Sequence, residues 1–328
     1  MLKTLPKAAV AALALSVAPL AAQAQDTLRA VTAFPSALAF SQSFLGFVDL
    51  VNERGEGIVQ IEHIGGPEAV PQMQQMDALR RGVVDMQYGP ASFHLGRMPE
   101  GDAFTGSTIT SMEARENGGF ELMQQAFRDR LGVELLAHID SGVQFHIYLT
   151  REPRRTEDGG VDFNGLQIRS APIYNAFFEA LGATPITVAV PDVYTGLERN
   201  TFDGAGWPMI GIRDLNWDRF LRYRIDPGFM QTDLSIAVNR DAWNRLSDEA
   251  RALLTELAIE YEQISFDQFQ EEIAATDAAV REGGMTVIEL EGEARARFLD
   301  MAYDSVWDRM EAAGSPMLEE LRALYYTR

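Results

Sequence analysis

The stretch from Asn164 to Pro208 constrains the fold most. Gly165 to Arg169 is a strand-like run that ends in a lone cation. Ile173 to Leu181 has apolar residues at helical spacing and stops at Gly182. Pro185 to Val190 alternates as a strand does, Asp192 to Glu198 fits a second short helix, and Phe202 begins another strand. Strands separated by short helices predict a parallel sheet within an α/β fold. In open sheets of this class, ligands bind outside the carboxyl ends of the strands. Arg169 and Trp207 both fall at such ends, which makes them the first candidates for a binding site.

A chain of 328 residues predicts one large or two medium domains. Residues 1–24 have the pattern of a secretory leader: Lys3 and Lys7, an apolar run from Ala8 to Ala22, then Ala22-Gln23-Ala24 as a small-x-small cleavage site. A membrane-spanning helix needs about 20 apolar residues. This run is shorter, and no later run is long enough, so the expected product is exported, cleaved near Ala24 and not inserted in the membrane. The chain has no cysteine, which excludes a disulfide framework and a lipoprotein anchor. Every lysine lies in the leader. Its removal takes the formal net charge from −20 to −22 and leaves arginine as the only formal cation. Schiff-base lysines, a P-loop lysine and lysine general bases are thereby excluded. The acidic balance also argues against nucleic acid and anionic membrane surfaces as partners.

Elsewhere, Thr27 to Val31 and Ile58 to Ile64 read as strands. Ser36 is placed to cap a helix from about Ala37 to Arg54. Pro71 to Arg81 and Met112 to Leu131 read as helices, the second interrupted at Gly118-Gly119. Val133 to His138 and Val143 to Leu149 read as strands. An internal echo links two regions: Leu79 to Asp85 followed by Pro90, and Leu197 to Asp203 followed by Pro208. Each has a helix end, a turn residue that tolerates positive φ (Gly82, Asn200), an aspartate and a proline stop. Chance is the competing explanation. Taken as real, the echo predicts two similar lobes, with Tyr88 and Gly89 in one matching Gly206 and Trp207 in the other. From Asp248 to Arg281 there is neither proline nor glycine, and Ser247 can cap the run. At about 1.5 Å per residue this helix is about 50 Å long, enough to cross two lobes.

The ordered combination of these pieces resembles the DctP-type solute-binding subunit of tripartite ATP-independent periplasmic (TRAP) transporters. The residues that carry the likeness are Asn164 to Arg169, Leu181 to Pro185, Val190 to Glu198, Asp203 to Pro208, and Ala78 to Asp85. The leader and the long helix add to it. The resemblance implies a two-lobe periplasmic binding protein with a hinge, which closes on a small organic anion and presents it to the TRAP membrane subunits. It also implies a division into lobe I (25–143 plus about 233–272) and lobe II (about 144–232 plus 273–328).

By the same resemblance, Arg169 falls on the arginine that pairs with a substrate carboxylate, a role that suits a planar guanidinium fork. A surface ion pair is the bland alternative. Trp207 occupies a position that is polar in several members. It could wall the pocket, stack on an aromatic ligand, face a cation, or belong to the lobe core. Many members carry a second arginine in the segment matching Ser141 to His146. Here there is none, and Gln144 or His146 could contribute a polar contact instead. His146 suits a structural histidine equally well. Asp233 could serve a hydroxyl or amine on the ligand, or cap a strand end. Tyr174 and Tyr88 are further pocket candidates. Enzymatic motifs are missing: the four histidines show no metal-ligand spacing, and there is no Gly-x-Ser-x-Gly elbow. No metal or cofactor is expected. An exported hydrolase or lyase working through carboxylates, and a ligand-sensing receptor module, remain the alternative functions.

Overall fold

A computed structural model describes residues 25–327. The expected leader lies outside the described residues. The strands are β1 (Asp26–Thr32), β2 (Val59–Gly65), β3 (Met86–Pro90), β4 (Val133–His138), β5 (Phe145–Leu149), β6 (Gln167–Ser170), β7 (Thr184–Thr187), β8 (Gly204–Pro208), β9 (Tyr223–Phe229), β10 (Leu234–Asn239) and β11 (Thr286–Glu289). They form two sheets, ordered β2-β1-β3-β10-β4 and β11-β9-β5-β8-β6-β7. Within each sheet the strands joined by helical crossovers run parallel: β1 with β2 and β3, β6 with β7 and β8. The strands at which the chain enters from the other sheet, β10 and β5, run antiparallel to their neighbours. The chain passes between the sheets at 139–144, at 230–233 and along the helix Asp248–Glu282.

The internal echo is structural. Gly82 and Asn200 both take positive φ, 70° and 53°. In lobe I, Asp85 N–H donates to Arg29 O (2.9 Å) and the Asp85 carboxylate accepts from Arg29 N–H (3.0 Å). In lobe II, Asp203 N–H donates to Gln167 O (2.7 Å) and its carboxylate accepts from Gln167 N–H (2.8 Å). Each aspartate thus satisfies the backbone where a new parallel strand joins the sheet, which gives the repeated Asp a physical reason.

The helix Asp248–Glu282 follows from its sequence. Ser247 Oγ accepts from Ala250 N–H at 3.1 Å, with Asp248 and Glu249 in the positive first turn. It packs Leu254, Leu257, Ala258, Tyr261 and Phe269 into the lobe I core, and Val280 into a lobe II cluster with Trp207 and Trp217. Three expectations shift. The first helix is Ala39–Arg54, and Ser36 does not cap it; instead its carbonyl accepts from the Gln42 side chain at 2.5 Å. Strand β9 was not anticipated; it contains Pro227 and Gly228, residue types that disfavour strand interiors. The tail helix Leu318–Tyr325, expected with lobe II, packs Leu321 and Tyr325 beside Phe104, Phe120 and Phe127 of lobe I.

Candidate functional site

The carboxyl ends of β6, β7 and β8 face those of β1 and β3 across a cleft of about 500 Å³. Lobe II lines it with Arg169 to Tyr174, Thr187 to Val190, Trp207 and Pro208. Lobe I contributes Phe34, Phe40, Gln72, Met73, Pro90, Ser92 and Phe93. The crossing segment adds Thr232, Asp233 and Leu234. The lining is mostly apolar, with a few polar groups at set positions, as small-molecule sites generally are.

Arg169 is the penultimate residue of β6 and is 3% exposed. Its Nε and Nη2 donate to Val188 O (3.2 and 3.0 Å), and its Nη1 donates to Gly206 O (3.1 Å). The guanidinium sits 5.5 Å from the ring centres of both Trp207 and Trp217. Burial pulls its pKa down to about 10, opposed by Tyr174. The group therefore stays protonated at neutral pH. A guanidinium has five N–H donors. Three are used by carbonyls, which leaves one on each terminal nitrogen for a ligand acceptor. No carboxylate among the described residues forms an ion pair with it. Arg169 is also the one arginine among the residues lining the cleft.

Trp207 is 5% exposed, and its Nε1 donates to Ile210 O at 3.1 Å. Of the roles open to it, the geometry provides three: it lines the cleft, packs in the lobe II cluster with Trp217, and faces a cation, Arg169. Tyr174 lies in the cleft wall, fully buried against Phe145, Phe178 and Phe229. Asp233, 2% exposed, also lines the cleft, and its Oδ2 accepts from Ser92 N–H at 2.5 Å. Burial raises its pKa to about 6 against the hydrogen bonds from Ser92.

Three candidates lie elsewhere. Tyr88 is fully buried in lobe I, stacked on Phe44 at 5.1 Å, with its hydroxyl donated to Asp140. The helix Ala39–Arg54 covers this face of β3, so the ring belongs to the core. On β5, successive side chains point to opposite faces. Phe145 faces the cleft, while Gln144 and His146 do not line it. Gln144 is exposed beside Pro227 and Gln231, and His146 pairs with Asp226 at 3.0 Å inside the sheet. Phe145, Gln72 and Ser92 carried no signal that distinguishes them from core or surface residues in the sequence.

The model of bacterial extracellular solute-binding proteins, family 7 (DctP), matches residues 31–313. The chain belongs to this family. A solute-binding protein of Roseobacter denitrificans is 23% identical over 210 residues, 61% of this chain and 64% of the relative, so the match spans less than two thirds of that protein. The C4-dicarboxylate-binding periplasmic protein DctP of Rhodobacter capsulatus is 24% identical over 281 residues, 81% of this chain and 82% of the relative. Among solved structures, a TRAP periplasmic solute-binding protein of Desulfovibrio salexigens with bound orotic acid superposes with a TM-score of 0.78 at 18% identity, covering 92% of this chain and 97% of that one. The fold is that of the two-lobe family 7 receptors. Among the described residues, no helix is long and apolar enough to cross a membrane, and no cluster of three or more His, Asp or Glu is arranged to hold a metal.

Proposed function

We propose that this family 7 protein is an extracytoplasmic receptor that captures a small organic acid in the interlobe cleft and delivers it to the membrane subunits of a TRAP transporter. The observation that carries the reading is Arg169: a buried guanidinium at a strand end, protonated, held by three hydrogen bonds to two carbonyls and paired with no carboxylate of the described residues. Burying an unpaired charge is costly. A ligand carboxylate offsets that cost through two charge-assisted hydrogen bonds, each contributing about 1.5–3 kcal/mol. The amino end of the helix Val190–Glu198 also lines the cleft and favours an anion there. The rigid carbonyl contacts and the flanking tryptophans keep the fork in place before the ligand arrives, which reduces the ordering cost of binding. Closure of the lobes about the crossing segments then hides the ligand from water.

We read the cleft as non-catalytic. None of the four histidines lines it, and Asp233 is the sole carboxylate in its wall. The relatives described above, which bind a C4-dicarboxylate and orotic acid, support an acid as the ligand class and the periplasm as the place of work. A thermal-shift screen of residues 25–328 against mono- and dicarboxylates, 2-oxo acids, aromatic acids and zwitterions tests the reading. At a hundred times its dissociation constant, a ligand stabilises the fold by about 2.7 kcal/mol, so a hit raises the melting temperature visibly. A folded protein that no acid shifts contradicts the proposal.

A further inference from the structure

The cleft holds two buried charges of opposite sign. Arg169, 3% exposed, comes from lobe II, and Asp233, 2% exposed, comes from the segment that crosses between the lobes. Both line the same cavity. Neither forms an ion pair with any described residue, and they do not pair with each other. The Asp233 carboxylate accepts from Ser92 N–H at 2.5 Å, and an ionised carboxylate has about four lone-pair sites, so its hydrogen bonding within the chain leaves acceptor capacity unused. Tyr174, in the same wall, lies within the electrostatic reach of both groups. The rest of the lining is mostly apolar, Phe34, Phe40, Phe93 and Phe145 among it, with polar groups at Gln72 and Thr232.

We propose that the ligand is an apolar-bodied, preferably aromatic, monocarboxylic acid that also carries a hydrogen-bond donor, an ammonium or a hydroxyl, and that Asp233 is the specificity-determining residue that receives this donor. The inference rests on the reading of the cleft as an acid-binding site, which assigns the carboxylate to Arg169. Its added content follows from charge balance. A second carboxylate on the ligand would face Asp233 with like charge. A donor-free acid would leave the buried Asp233 carboxylate uncompensated, and sites built to accept a donor reject analogues that lack it far more strongly than apolar pockets reject a change in size.

The test is a matched series titrated calorimetrically. The parent is 3-phenylpropanoate. The donor-bearing members carry an amine or hydroxyl on the α-carbon, or a hydroxyl or aminomethyl group at the para position of the ring. The control members carry a second carboxylate at the same places. For the wild-type protein, at least one donor-bearing member binds ten times more tightly than the parent, and every diacid binds more weakly than the parent. In Asp233→Asn the two move in opposite directions: the preferred donor-bearing acid weakens about tenfold and the corresponding diacid strengthens. A purely structural Asp233, holding the Ser92 turn, would weaken all members alike in this variant, and that pattern overturns the inference. So does a wild-type protein that binds the parent within twofold of every donor-bearing member. That second result leaves the acid-receptor reading standing, provided binding is lost in Arg169→Ala. If no member binds while another acid of the thermal screen does, the inference falls and the acid-receptor reading stands; if no acid of either set binds, both fall. The amine and hydroxyl arms identify which donor Asp233 accepts.

Discussion

Asp140 shows how one buried side chain sets a pH dependence for the fold. It is fully buried where the chain leaves β4 for lobe II, and accepts from Ser43 Oγ at 2.6 Å and from the Tyr88 hydroxyl. Burial pushes its carboxyl up to about 7, against these hydrogen bonds. In the unfolded chain an aspartate titrates near 3.9. The native state therefore holds a proton that the unfolded state has lost, and stability falls as pH rises from about 4 to about 7. Asp140→Asn removes this titration, so its melting temperature relative to wild type rises across that window; a parallel offset at every pH contradicts the assignment. The candidate site was partly legible at this scale. Arg169 and Trp207 stood out because a cation and a large aromatic at strand ends are unusual. Asp233 and Tyr174 were visible as types of residue that pockets use. Tyr88 and His146 were misplaced for one reason: β3 and β5 are buried on both faces, so the apolar alternation that tells inside from outside is lost.

At the scale of elements, the helix Asp248–Glu282 is tied to both lobes by ion pairs of different kinds. In lobe I, Glu262 is fully buried and pairs with Arg115 through two bonds of 2.5 and 2.9 Å, while also accepting from His138 N–H at 2.8 Å. In lobe II, Asp277 is 32% exposed and pairs with Arg224 at 2.7 Å, which keeps Asp226 as a second partner. Removing one side of a buried pair strands a charge, whereas removing an exposed partner costs little. Arg115→Ala should therefore lower unfolding free energy by about 3 kcal/mol, and Asp277→Ala by less than about 1 kcal/mol, in urea titrations. Equal losses would mean that the two attachments are not distinguished by burial. The helix itself was legible from the lack of Pro and Gly and from the Ser247 cap. Its anchors were not, because Arg115 and Glu262 lie 147 residues apart and no local pattern pairs them. Strand β9 escaped for the converse reason: its local chemistry contradicts its state, and pairing with β5 and β11 overrides it.

For the whole molecule, two lobes with similar wiring meet across one cleft, and the chain crosses between them at few points. Arg309 spans the division. Its Nε and Nη2 donate to the buried Asp102 of lobe I (2.8 and 2.7 Å), and its Nη1 donates to Ile173 O of lobe II (3.2 Å), beside the cleft. Few crossings and a largely apolar cleft are the conditions for hinge closure around a ligand. Small-angle scattering should then show a smaller radius of gyration when an acid identified by the thermal screen is added, and no change when the same acid is added to Arg169→Ala. The central claim is that Arg169 binds the ligand's carboxylate. The most direct measurement is a calorimetric titration of that acid into the wild-type protein, Arg169→Ala and Arg169→Lys, each first shown to be folded by circular dichroism. The predicted result is a loss of at least tenfold in affinity for the alanine variant, equivalent to about 1.4 kcal/mol, with lysine intermediate because it keeps the charge and loses the fork. A folded alanine variant that binds the acid as tightly as the wild type would contradict it.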